Sequence, residues 1–260
     1  MEQLLTQNSS ILIFALVGFF AQMVDGCLGM AYGVTSNSVL LTLGVPPKLA
    51  SASVHAAEVV TTAISGFSHF KVGNVDKQLA LRLIIPGVIG GVIGAYLLTE
   101  VDGNVIKPYI SIYLLLMGVY ILVRAFKTII DAEIKKGLIP PLALVGGFFD
   151  AIGGGGWGPV VTTTLVATGK KPRFAIGSVS LSEFFVTTAE SITFILTIGN
   201  LADYWRIILG LLLGGAIAAP LAAWACRRIP QKAMMIMVGV FIILLQVRTL
   251  LDIWFGIKIF

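Results

Sequence analysis

Apolar runs of helical length, broken by short stretches of charge, proline and glycine, make up almost the whole chain of 260 residues. Ten segments result, at about residues 11–24, 31–43, 49–70, 79–98, 109–126, 138–152, 157–168, 174–198, 204–226 and 233–251. Runs near twenty residues read as membrane-spanning helices. Segments one, two, six and seven are shorter. A helix of about thirteen residues covers only about 20 Å of a hydrocarbon core about 30 Å thick, so these four are expected to pair as two re-entrant hairpins.

Two of the long segments carry polar stripes. In the third, Ser51, His55, Glu58, Thr62, Ser65 and His69 fall on one quarter of the helix circumference, and the eighth repeats this with Ser180, Glu183, Thr187 and Glu190. An ionisable group at membrane depth costs about 2.5 to 3.5 kcal/mol on insertion scales. The stripes should therefore face each other or a wet cavity, not lipid.

The most severe interruption is Gly153–Pro159, GGGGWGP, inside an otherwise apolar stretch. Four consecutive glycines cost a helix about 1 kcal/mol each relative to alanine, so the helix should break there. Broken backbone inside a membrane is tolerated where protein buries it or where it lines a cavity. Close helix packing is one reading of the glycines. A ligand site is the other, with the half-helix that begins at Trp157 offering its N–H groups and dipole to an anion.

The chain is also an internal repeat. Ala50, Ser53, Val54 and Glu58 correspond to Ala175, Ser178, Val179 and Glu183, and Gly90-Gly91 corresponds to Gly214-Gly215. In that register Asp25–Gly33, with Gly26, Cys27, Gly29 and Gly33, falls opposite the glycine run. Residues 1–130 and 131–260 are the two copies. Five segments per copy is an odd number, so the second copy is expected to cross the membrane upside down.

Composition narrows the class. With 57% hydrophobic and 12% charged residues and a mean hydropathy of +0.96, the chain is expected to be an all-α integral membrane protein without a separate water-soluble domain. The net charge of +5 comes from basic residues set between apolar segments, which excludes nucleic acid as a partner and leaves the bilayer. The N-terminus has neither a basic leader nor a small-residue cleavage site, so a removable signal is not expected. Lys71, Lys77, Arg82, Arg124, Lys127, Lys135, Lys136, Lys170, Lys171, Arg173, Arg227, Arg228 and Lys232 follow odd-numbered segments; Lys48, Lys107, Arg206, Arg248 and Lys258 lie on the other face. Thirteen against five places the first set in the cytoplasm and both termini outside. No Walker motif, HExxH pair or zinc-ligand cluster occurs, so no cofactor, metal or enzymatic activity is expected.

A duplicated, loop-poor membrane chain with a glycine-rich hairpin and a downstream Ala-x-x-Ser-x-x-x-x-Glu in each half resembles the TauE/SafE family of sulfite exporters. The resemblance runs from about residue 12 to 251 and is best marked at Gly153–Pro159 and Ala175–Glu183. It implies export of sulfite or a small sulfur-containing organic anion from the cell. Independently, inverted repeats with discontinuous helices are the build of secondary transporters, whose sites lie where half-helix ends meet.

The candidate substrate site therefore comprises Gly154, Gly155, Gly156, Trp157 and Gly158 on one hairpin and Gly26, Cys27, Gly29 and Gly33 on the other. The hydroxyls of Thr35, Ser53, Thr162 and Ser178 are expected to complete it without adding charge, with His55 as a proton relay, a ligand donor or a packing residue. Glu58 and Glu183 are either coupling carboxylates or caps on the half-helices. A passive anion channel on the same fold, and a membrane subunit performing thiol chemistry through Cys27, are the competing functions. Oligomeric state is left open by the sequence.

Overall fold

The computed structural model describes residues 11–127, 134–168, 170, 172–199, 201–225 and 230–257. Each expected segment is a helix, and among the described residues there is no strand. In chain order they are α1 (Ile11–Leu28), α2 (Tyr32–Thr42), α3 (Pro47–Lys71), α4 (Lys77–Glu100) and α5 (Gly103–Arg124). The second half supplies α6 (Ile139–Gly153), α7 (Gly158–Ala167, its first turn π-helical), α8 (Pro172–Thr197), α9 (Trp205–Ala225) and α10 (Gln231–Phe255).

The hairpins are more lopsided than expected. α1 runs on through Asp25 and Gly26 to Leu28, so its 18 residues span about 27 Å. A single helical glycine costs only about 1 kcal/mol, and the chain breaks later, at Gly29 to Ala31. With the 3₁₀ turn before it, α6 also reaches 18 residues. Only α2 and α7 are short.

Among the described residues six helices are long and apolar enough to cross a bilayer, and the protein is a multi-pass membrane protein. The α4 surface shows what solvent it meets: Leu81, Ile85, Ile89, Ile93 and Leu97, one every turn, are all exposed. Its opposite face is small. Gly90 and Gly94 admit the backbone of α6 at Leu144 and Phe148, while Gly147 of α6 admits that of α4 at Gly87. Small residues let helices approach closely where lipid supplies no hydrophobic drive. α1 and α9 pack in the same way, through Gly18, Gly210 and Gly214.

These pairings are reciprocal between the halves: α1 packs on α9 and α6 on α4, whereas α3 pairs with α8 and α5 with α10. At the α3–α8 contact the Thr62 and Thr187 hydroxyls, 125 positions apart, lie 3.4 Å from each other. Lys170 pairs with Asp76 at 3.0 Å, so the ends of α3 and α7 share one face. Arg248 donates to the Thr42 carbonyl at 3.2 Å at the other end of the bundle. The polar stripe of α3 is turned inward, with Ser51, His55, Glu58 and Thr62 buried.

Candidate functional site

The second helix break is built around Asp150. α6 stops at Gly153, and Gly154 (φ 64°) and Gly155 (φ 153°) turn the chain through conformations closed to side-chain-bearing residues. The first amides of the next helix then have no carbonyl to donate to. Asp150, one turn back, supplies the acceptors: its Oδ1 takes Gly156 N–H at 2.6 Å and Trp157 N–H at 2.9 Å, and its carbonyl takes Gly155 N–H at 3.0 Å. Asn37 of α2 donates to the Gly153 carbonyl, and the Tyr113 hydroxyl to that of Gly155 at 3.4 Å. Trp157 is fully buried, with its indole N–H on the Val179 carbonyl at 3.3 Å.

All four glycines of the run are tightly packed. A Cβ at Gly153 would overlap the Tyr113 ring, at Gly154 the Asn37 amide, at Gly155 the backbone of Gly33 and Val34, and at Gly156 the Tyr113 hydroxyl. The glycines are thus fully used by packing, and the amides of Gly155, Gly156 and Trp157 belong to Asp150. Free amides awaiting an anion are not what the break presents.

The first break repeats the plan more loosely. Gly29 (φ 66°) and Ala31 (φ 90°) turn the chain, and Asp25 Oδ1 takes Tyr32 N–H at 3.4 Å. In the 125-residue register Asp25 stands opposite Asp150 and Tyr32 opposite Trp157. The Tyr32 hydroxyl donates to the Leu211 carbonyl at 3.1 Å, tying the first half-helix to α9.

Both breaks face one pocket. Its wall carries Asp25 and Glu58 from the first half and Asp150 and Glu183 from the second, with Gly33, Gly155, Gly156 and Gly158 between them. Among the described residues no lysine or arginine lines it. The space is about 10 Å³, room for one water molecule. Behind the wall His55 Nδ1 lies 2.7 Å from the Ser51 carbonyl, which only accepts, so the ring proton sits on that nitrogen. Nε2 lies 2.9 Å from Glu190 and 3.6 Å from Asp150. The His55–Glu190 pair thus sits fully buried beside the Asp150 cap.

The sequence candidates separate into three groups. Gly33, Gly155, Gly156, Gly158, Glu58 and Glu183 line the pocket, and Gly154, Trp157 and His55 support it from behind. The four hydroxyls expected to complete it do not gather there. Thr35 faces an apolar groove against Phe20 and Phe241, Thr162 opens on a different cavity, Ser178 holds the Asp76 backbone amide at 2.9 Å, and Ser53 is buried within α3. Gly29 turns the chain outside the pocket, against Ile176. The side chains at Gly26 and Cys27 lie outside the described residues. The half-helix caps are Asp25 and Asp150, not Glu58 and Glu183. Both aspartates, and Glu190 as the partner of His55, were missed as site residues, although an acid at matching positions ahead of each break was visible in the repeat.

The family model described as sulfite exporter TauE/SafE matches residues 14–249. The chain belongs to the TauE/SafE family. A similar curated protein is the "Probable membrane transporter protein YtnM" of Bacillus subtilis (strain 168), 47% identical over 252 residues that cover 94% of this chain and 84% of the relative. No solved structure matches the chain. The helix-break pocket is the candidate site of this TauE/SafE member.

Proposed function

We propose that the protein is a secondary transporter of two inverted repeats that exports a small anion, with sulfite or a related sulfur oxyanion or organosulfonate as substrate. The family description supplies the sulfur chemistry. The reciprocal packing of α1 on α9 and α6 on α4 supports the inversion, and the excess of Lys and Arg on one set of loops supports a cytoplasmic face there, with both termini outside. The observation that carries the site is the meeting of both helix breaks, each with its own capping carboxylate, at one closed pocket.

Asp150 occupies the position an anionic substrate would take: a negative charge on the first amides of a half-helix. Substrate and carboxylate repel each other, and the same two N–H groups cannot serve both. Binding therefore requires the Asp150 side chain to step aside from those two N–H groups, and His55 Nε2 lies 3.6 Å from its outer oxygen.

The test uses an organosulfonate such as ethanesulfonate, whose own charge is constant between about pH 5 and 8, so that any pH dependence is the protein's. Binding to purified protein should tighten in Asp150→Asn, which removes the repelling charge at the two half-helix amides. Flux of sulfite in proteoliposomes should accumulate against its gradient when a pH difference is imposed. Equilibration without accumulation would make the protein a passive channel. Unchanged flux after Cys27→Ala would remove the reading of Cys27 thiol chemistry.

A further inference from the structure

A second cavity lies beside the closed pocket and has the opposite character. It measures about 310 Å³, large enough for a hydrated oxyanion, and is walled by the end of α5, the start of α10, the first break and α7. Arg124, Lys127 and Lys232 stand on it. Among the described residues no carboxylate lies within ion-pair distance of any of the three; Lys232 rests on the Phe126 ring at 4.5 Å. The cavity wall also carries Thr162, whose hydroxyl is buried, at 2% exposure for the residue, without a hydrogen-bond partner. The neighbouring Thr163 hydroxyl donates only to the Met30 sulfur, at 3.3 Å, a weak acceptor that a better one displaces easily.

Met30 separates the two spaces. It lines the cavity, and its Cα lies 2.8 Å from where a Cβ of Gly158, a wall residue of the central pocket, would stand. The matching positions on the other face of the bundle are filled. Asn37, opposite Thr162 in the repeat, is bound to the Gly153 carbonyl, and Arg248, opposite Arg124, donates to Thr42.

We propose that this cavity is an oxyanion-binding vestibule, in which a small sulfur oxyanion is held by Arg124, Lys127, Lys232 and the Thr162 and Thr163 hydroxyls, with Met30 as the partition between it and the central pocket. The proposal rests on the transporter reading above for its substrate class and for its cytoplasmic side. Placing the cations here resolves the acidity of the inner pocket: attraction is supplied at the mouth, where long-range charge raises local anion concentration by about 10-fold or more, and the inner pocket is left to the exchange with Asp150.

The experiment places a reporter cysteine at Val166, a half-buried wall residue, in a chain with Cys27→Ser and Cys226→Ala. Inside-out vesicles are treated with the sulfonatoethyl and the trimethylammonioethyl methanethiosulfonates, each rate normalised to that reagent's rate with a free thiol. The anionic reagent should react about 10-fold faster, the combined Arg124→Gln, Lys127→Gln, Lys232→Gln variant should erase the preference, and ethanesulfonate should slow labelling in the parent reporter. Ethanesulfonate replaces sulfite here because sulfite attacks the reagents themselves. Equal or cation-favouring rates, or an absence of ethanesulfonate protection, would overturn the vestibule. If the triple variant does not fold, the single exposed Lys127→Gln should lower the preference about 2-fold, and an unchanged preference there overturns it equally. Protection without sulfite flux in proteoliposomes would sink the transport reading and leave the vestibule standing.

Discussion

The two helix breaks occupy equivalent positions in the repeat and are built to different tolerances. In the second, one carboxylate closes two amides at 2.6 and 2.9 Å, Asn37 and Tyr113 clamp the carbonyls, and glycine stands wherever the backbone turns left-handed. In the first, one amide is held at 3.4 Å, and Ala31 takes φ 90° where the register places Gly156 in the other half. A break so loosely capped and strained is the one that moves at least cost. The comparison assigns rigidity to the Asp150 hairpin and mobility to the Asp25 hairpin, which also carries Met30.

The sharpest way to break this comparison is to insert a methyl group on each side. Gly155→Ala puts a Cβ into the Val34 amide, which is backbone and has nowhere to go. We expect a loss above about 3 kcal/mol, seen as failure to recover folded protein by size exclusion. Gly29→Ala meets only the flexible Ile176 side chain, at 3.2 Å, and pays mainly for its φ of 66°, about 1–2 kcal/mol by thermal unfolding. Similar losses at both sites would remove the asymmetry.

Removing the caps comes next. Asp150→Ala leaves two buried amides without an acceptor and should cost about 2–4 kcal/mol, against about 1 kcal/mol or less for Asp25→Ala with its single long bond. Chemical denaturation of the two variants checks the order. A smaller effect of opposite sign is expected at Ala31: Ala31→Gly relieves about 1–2 kcal/mol of left-handed strain against about 0.5–1 kcal/mol of added chain entropy. The net stabilisation of about 0.5–1 kcal/mol should raise the melting temperature while slowing no transport step that depends on the second break.

The smallest effect is expected where the halves touch at the surface. Partial burial pushes the Asp76 carboxyl up, but the Lys170 ammonium and the Leu79 amide outweigh it and hold it below its usual 3.8. A lowered folded value means that this stability is present above about pH 4 and is lost as pH falls through the folded value. Both side chains are about a third exposed, at 32% and 30%, so the contribution is about 0.5 kcal/mol or less. Lys170→Gln should lower stability by that amount at pH 7, flatten the loss of stability on acidification through pH 4, and leave stability unchanged once Asp76 is protonated.

All ten helices were legible because each is an apolar run ended by charge, proline or glycine. The length of α1 was not: Asp25 and Gly26 look like an interruption, but the carboxylate folds forward onto Tyr32 and the helix passes through. Glu58 and Glu183 were legible as inward-facing because an acid in a membrane helix has few other places to go. The pairing of His55 with Glu190 was not, since it depends on how α3 and α8 are rotated against each other. The hydroxyl shell failed for a related reason. Thr35 and Thr162 stand near the breaks in sequence, but nothing in the sequence shows how each half-helix is rotated, and they open on different spaces. The glycine run marked the break correctly while concealing its use, because only the structure shows Tyr113 and Asn37 filling the room that the missing side chains leave.

The packing of α1 on α9 has a consequence for how the protein is made. Gly18 is seated against Leu211, so α1 rests on a helix that is synthesised well after it. At about 5–20 residues per second, the intervening stretch of about 190 residues takes roughly 10–40 seconds to synthesise. Throughout that interval the face of α1 that carries Gly18 lacks its α9 partner within the nascent chain. The insertion machinery or the lipid must shelter it, and folding of the first half waits on translation of the second.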